Sequence, residues 1–245
     1  KTTWDIDIKK IRKVSTKILS EFKTIIKKLD KKRLKNQLIE EMGYIEFHQW
    51  LKPTTQNEVV LMKYLIDKIQ DEKIKELFYL VLIESSTESS NASFCPGTSF
   101  YPFRKKPEFF PTFVHKLEMI IQDLTLSQKL DNNSECNVIN DDCRKASKFI
   151  KKDSVDLVFT SPPYPNDMEY TRQTRLDLFL LEYVKNLNDV QKIKKKMVRG
   201  STKLIFNDSD SSKLVKDNKQ IQNIANEIAK KLDGKNWGWD YPKMV

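Results

Sequence analysis

The residues best suited to chemistry lie together at Ser161-Pro162-Pro163-Tyr164, directly after Val155-Asp156-Leu157-Val158-Phe159-Thr160. Both prolines have a fixed φ and no N–H. Ser161 and Pro162 each precede a proline, which pushes both to extended backbone angles. The result is a stiff segment that offers carbonyl oxygens and the Ser161 hydroxyl without competing backbone donors. Tyr164 adds a flat ring with a polar tip. This set suits the exocyclic amine of a planar base, whose lone pair is delocalised into the ring. The Ser161 hydroxyl and the Pro162 carbonyl could accept its two N–H groups, draw the nitrogen toward tetrahedral geometry and aim the lone pair at an electrophile. Tyr164 would stack on the base, which must be flipped out of any duplex to get there. Such positioning can supply ~7–11 kcal/mol in favourable cases. The plainer alternative is a Pro-Pro turn that closes a buried strand.

The elements around the stretch read as follows. The branched and aromatic run at 155–160 predicts a buried strand. A second short strand is expected at 137–140, followed by an acidic turn with Asp141 and Asp142 and a helical turn at 146–150. Strand, turn, helix and strand make a βαβ rhythm, which implies parallel pairing in a buried sheet. Reactive groups in open α/β sheets gather beyond the carboxyl ends of the strands, where Ser161 would stand. A helix at 170–184 follows, with Leu176, Phe179, Leu180 and Tyr183 inward. Arg172 and Arg175 on that helix are candidate phosphate contacts.

The chain before this is mostly helical in pattern. Residues 5–30 form an amphipathic helix on Ile8, Ile11, Val14, Ile18, Phe22, Ile25 and Leu29, with Thr3 or Asp5 as cap. This stripe is read as packing, without chemistry. Tyr44, Phe47 and Trp50 form an aromatic cluster, and Pro53 is expected to end its element. Helices are expected at 57–70, with Tyr64 on the apolar face, at 73–86 and at 111–126. Between the last two, Ser85 to Ser93 and the Pro/Gly-punctuated residues that follow read as a loop. There Phe100, Tyr101 and Phe103 interleave with Arg104 and Lys105, which suits stacking and phosphate contacts on nucleic acid. The alternative is a proline-rich loop whose aromatics pack on helices. Residues 185–220 are polar and lysine-rich, and a last helix uses Ile221, Ile224, Ile228 and Leu232.

The sequence has 245 residues, a net charge of +10 and a pI near 9.3. That balance favours a polyanionic partner, although a lysine-rich solvated surface would give it too. No apolar run approaches the ~20 residues a bilayer span needs. Cys95, Cys136 and Cys143 have no regular spacing, and with His48 and His115 they assemble no zinc cluster. A reducing, intracellular compartment is the simplest expectation. The five glycines form no Gly-x-Gly cluster, so no glycine-rich cofactor loop is visible.

Asp156-Leu-Val-Phe-Thr-Ser-Pro-Pro-Tyr164 resembles the catalytic motif of the amino-group DNA methyltransferases, and Ser-Pro-Pro-Tyr is typical of their cytosine-N4 branch. Tyr170-Thr-Arg172 with Leu176, and Asn140-Asp-Asp142-Cys-Arg144, are also similar to a subgroup of that family. The resemblance spans about residues 137–184. It implies an α/β fold, a partial Rossmann-like methyltransferase sheet with a large α-helical insertion. Residues 1–127 would be the insertion, with a possible target-recognition role. Residues 128–245 would be the partial α/β core, with a helical excursion at 185–236. The implied catalytic residues are Ser161, Pro162, Pro163 and Tyr164. S-adenosyl-L-methionine would be the cofactor, with Asp142, and Asp141 as second choice, beside it. Arg172, Arg175, Arg104 and Lys105 would contact DNA. The implied partner is double-stranded DNA with a flipped cytosine, in a cytoplasmic, prokaryotic-type setting; a cognate restriction nuclease is a possible further partner whose existence the sequence does not give. No metal is implied. The family's Asp-Pro-Phe-x-Gly-x-Gly cofactor loop is missing, and Lys1-Thr-Thr3 is similar to the start of the subgroup's insertion. The chain therefore reads as the middle of such an enzyme, inactive by itself. Adenine-N6 methylation, an RNA guanine amine, or a non-catalytic DNA-binding or scaffold module are the other readings.

Overall fold

The computed structural model describes residues 6–28, 47–93, 99–130, 136–161, 170–198, 213 and 215–232. The expectations for Thr3, Asp5, Leu29, Tyr44, Cys95 and Pro162 to Tyr164 fall outside these residues.

Helix α1 (Ile8–Lys28) buries Ile11, Ser15, Ile18 and Phe22 on one face and turns lysines outward. Asp7 caps it: its carboxylate accepts the backbone N–H groups of Lys9 at 2.8 Å and Lys10 at 3.3 Å. A single turn, α2 (Phe47–Trp50), leads to α3 (Pro53–Asp67). Pro53 does not end an element, as expected, but opens one. At the first helical position its missing N–H would have had no partner anyway. In α4 (Glu72–Glu88) the Asp71 carboxylate caps the Ile74 N–H at 3.2 Å.

Helices α3 and α4 are the centre of the molecule. Between Val59 and Ile66, α3 exposes only Tyr64, which the periodicity had placed inward. On α4, Ile74, Leu77, Phe78, Val81 and Leu82 are buried. A helix buried on most sides belongs inside, and an amphipathic one at the flank. Accordingly α1 packs on α3, and α5 (Phe109–Ser127) packs on both α1 and α4. Phe22 stacks on Phe110 with ring centroids 4.6 Å apart, which binds the two flanking helices together.

The serine-rich stretch differs from the expected loop. Ser85 to Glu88 are the last turn of α4, and Ser85, Ser86, Ser89, Ser90 and Asn91 are buried. Small side chains permit close helix contact, so here they line the core rather than punctuate the surface. Asn91 then fixes the chain reversal. Its N–H donates to the Trp50 carbonyl (2.7 Å), its side-chain amide to the Gln49 carbonyl (3.0 Å), and its carbonyl accepts from Tyr101 N–H (2.8 Å). The reversal carries β1 (Ala92–Ser93) and β2 (Ser99–Phe100), paired antiparallel.

The α/β expectation is overturned. This two-stranded antiparallel ribbon is the only sheet among the described residues, and helices dominate the rest. Residues 136–140 and 151–161 are irregular and exposed, with Phe159 97 % exposed. A strand-like composition states a preference, but ladder bonds must come from a neighbour. Among the described residues the two segments form no ladder with each other. The helices satisfy their hydrogen bonds internally and close a core without them.

The helix expected at 170–184 is broken into α6 (Tyr170–Gln173) and α7 (Arg175–Leu180). Leu176, Phe179 and Leu180 are buried as expected, but the chain turns at Glu182 (φ 61°) and leaves Tyr183 exposed. Helix α7 packs on α4, and Leu176, Phe179, Leu180, Val184 and Val190 share one core with the preceding helices. Beyond it run α8 (Leu187–Lys196), capped by Asn186, and α9 (Lys219–Lys231), capped by Asn218. The isoleucine face of α9 buries no residue fully, and Ile224 is exposed. No helix of the described residues is long and apolar enough to cross a membrane.

Candidate functional site

Ser161 ends an exposed stretch that begins after a turn at Asp153 (φ 56°). It makes no hydrogen bond among the described residues, so its hydroxyl faces solvent. The expected strand ahead of it supplies no rigid support here. Val155, Leu157, Val158 and Phe159 are all exposed.

Asp142 starts a short 3-10 helix (Cys143–Lys148) by accepting the Arg144 N–H at 3.0 Å. The same carboxylate takes the Arg144 guanidinium through Nε at 2.9 Å and Nη2 at 2.7 Å. These bonds, with that backbone contact, bring its pKa down to about 2. Asp141 accepts the Asp142 N–H at 2.6 Å and is otherwise exposed. Neither residue lines the large cavity described below. A carboxylate locked onto the arginine two residues away is not placed to hold the polar end of a nucleoside-like cofactor. Asp142 is thus engaged by Arg144, and no cofactor contact is assigned to it.

The expected phosphate contacts are scattered. Arg172 is exposed on α6, and Arg175 is half-buried at the start of α7. Arg104 and Lys105 are exposed beyond the β ribbon, next to Tyr101 and Phe103. Phe100, by contrast, packs edge-on against Trp50 at 5.0 Å. The aromatic-basic loop is therefore divided. One ring belongs to the core, and two remain in solvent beside the cations.

A cavity that sequence reasoning missed lies between α4, α5, α7 and the ribbon. It holds about 570 Å³ and is lined by Glu84, Thr87, Glu88, Lys106, Lys116 and Asp177, among others. Lys116 pairs with Glu88 at 2.9 Å and Glu84 at 3.3 Å, and the Glu88 bond above all holds the ammonium proton more tightly than usual. Burial pushes the Asp177 carboxyl up, opposed by the Thr87 hydroxyl that donates to it at 3.1 Å. Lys106 donates to the Ala92 carbonyl at 2.9 Å, and burial lowers its proton affinity. Of these charges, Lys116 is paired with Glu84 and Glu88, while Asp177 and Lys106 bond to neutral groups. The available signal was Asp177, a carboxylate inside the apolar run from Leu176 to Leu180.

No group of histidine, cysteine and carboxylate side chains that could hold a metal ion occurs among the described residues. Cys136 and Cys143 are free and exposed. Compared with protein-family models, with curated proteins and with solved structures, the chain matches none.

Proposed function

We propose that this chain carries the amine-accepting part of a DNA methyltransferase that modifies the N4 amine of a flipped cytosine. The observation behind the proposal is the sequence Asp156-Leu-Val-Phe-Thr-Ser-Pro-Pro-Tyr164. Two features agree with it. The Ser161 hydroxyl is open to solvent, and the net charge of +10 suits a polyanionic partner. Ser161 accepts one N–H of the target amine, the Pro162 carbonyl accepts the other, and Tyr164 stacks on the base. S-adenosyl-L-methionine is the methyl donor this chemistry calls for. No step of its binding is assigned to Asp141 or Asp142.

The test is methyl transfer by the natural protein to duplex DNA. Ser161→Ala and Tyr164→Ala should depress it while leaving the helical core folded. Unchanged rates in both remove the assignment. Mass spectrometry of the digested product separates N4-methylcytosine from N6-methyladenine, and an adenine product shifts the substrate to the alternative base. Neutralising Arg172 and Arg175 should weaken DNA binding and flatten its salt dependence. An unaltered salt slope would leave them no phosphate contact.

A second reading rests on the fold. A helical bundle whose Ser161 faces no partner among the described residues would also suit a DNA-binding or scaffold module without catalysis. Cofactor titration distinguishes the two. A natural protein that binds duplex DNA but neither binds S-adenosylmethionine nor methylates supports the second.

A further inference from the structure

Helix α1 carries eight basic residues and one acidic residue over 21 positions. They do not all behave alike. At the edges of its outer face the charges are taken up within the molecule. Lys10 pairs with Asp71, Arg12 with Glu118 at 3.2 Å and Glu21 with Lys68 at 3.7 Å, while Lys23 lies over the Phe110 ring. Along the middle of that face run Lys9, Lys13, Lys17, Lys27 and Lys28, all exposed. None of these five has a carboxylate partner among the described residues. Between them stand only Thr16, Ser20 and Thr24, whose hydroxyls donate to backbone carbonyls of their own helix.

A face kept merely soluble alternates signs, because Glu–Lys pairs four residues apart stabilise a helix. Here Lys9, Lys13 and Lys17 repeat the same sign at that spacing, which is destabilising. Lys9 also stands in the first turn, at the positive end of the helix dipole. The Asp7 cap offsets part of that cost, and the first turn itself holds no acidic residue. The arrangement costs the isolated protein stability, and a polyanion would reverse the sign of each term. Lys9, Lys13 and Lys17 stand about 6 Å apart along the axis. One DNA strand places a phosphate about every 3.4 Å, so the row steps close to every second phosphate. From Lys9 to Lys27 it covers about 27 Å.

We infer that the outer face of α1, centred on Lys9, Lys13 and Lys17, docks on the phosphate backbone of duplex DNA without reading its sequence. This deepens the DNA reading above and takes from it the identity of the polyanion.

The experiment compares the natural protein with the triple variant Lys9→Gln, Lys13→Gln, Lys17→Gln on a fluorescent duplex across a salt series. The slope of log affinity against log salt should become shallower by about 2.7, three contacts at about 0.9 each. The corresponding triple Lys→Arg variant should keep the slope. Lys219→Gln, Lys230→Gln, Lys231→Gln on α9 removes the same charge elsewhere and should also keep it. An unchanged slope in the α1 variant, an equal loss in the α9 control, or no duplex binding by the natural protein would each overturn the inference. So would binding through these lysines to phosphatidylserine vesicles but not to duplex. The methylation reading fails separately. Duplex binding that depends on the α1 lysines, with no methyl transfer, leaves this surface standing. Methyl transfer with a slope indifferent to them leaves only the enzyme.

Discussion

Lys63 Nζ lies 2.7 Å from Glu182 Oε1, and this pair ties the chain after α7 to the middle of α3. Lys63 also reaches Asp67 at 3.1 Å, and the Tyr79 hydroxyl donates to the same Asp67 carboxylate. Burial disfavours the Lys63 ammonium, but its hydrogen bonds to Glu182 and Asp67 outweigh that and hold its proton above the ordinary range. Burial, then the bond to Asp67, pushes the Tyr79 phenol up to about 12. Glu182 has a positive φ of 61°. Its side chain remains 63 % exposed, so the pair is well screened. Glu182→Gln should therefore cost only about 1 kcal/mol in urea denaturation. Lys63→Ala also removes the Asp67 bond and the buried alkyl stem and should cost about 2–3 kcal/mol, below the range for a fully buried pair. A double-mutant cycle with no coupling would show that the pair holds nothing.

The hydroxyls of Ser85 and Ser86 are buried and have no hydrogen-bond partner. An unsatisfied buried donor carries its full desolvation cost. Ser85→Ala and Ser86→Ala should each raise stability by about 1 kcal/mol. A loss of that size instead would mean that the hydroxyls bond to buried water.

Asp177 and Asp71 should titrate with opposite effects on stability. Burial raises the native pKa of Asp177 above its ordinary 3.8. Its contribution is therefore complete below that value and is lost as pH rises through the native one. Asp177→Asn should gain on the wild type between pH 3 and pH 7. The Lys10 ammonium, then the Ile74 N–H, lowers Asp71. Its contribution is present above 3.8 and is lost as pH falls through the native value. Asp71→Asn should lose against the wild type at pH 7 and recover toward pH 2. Denaturant melts at both ends of the range decide it; parallel profiles would contradict the assignment.

Phe159 and Phe78 contrast an apparent core residue with a real one. Phe159 is almost wholly exposed, and Phe78 is fully buried. Phe159→Ala should change stability by less than about 0.5 kcal/mol, whereas Phe78→Ala should cost about 3–5 kcal/mol. Chymotrypsin should also cut the native protein first at Leu157 or Phe159. A large loss for Phe159→Ala would restore a packed strand at that position.

What the sequence determined by itself was local. The three-to-four-residue spacing of Ile8, Ile11, Ile18 and Phe22 is a property of one helix. So are the faces of α4 and α5, and the buried Leu176, Phe179 and Leu180. The chemistry proposed for the Ser161 stretch rests on residue type and proline geometry alone, which need no neighbours to be read. The tertiary structure decided everything that depends on a partner. Residues 155–160 look like a strand, but a strand exists only when another accepts its hydrogen bonds, and residues 137–140 do not. Ser85 to Asn91 look like a loop, but small side chains are also what lets helices approach. Glu84, Glu88, Lys116 and Asp177 share a cavity because three helices converge there, and no spacing along one chain announces that. The same holds for α1. Its periodicity showed which side faces the core, but the structure showed which outward lysines were already paired and which have no carboxylate partner among the described residues.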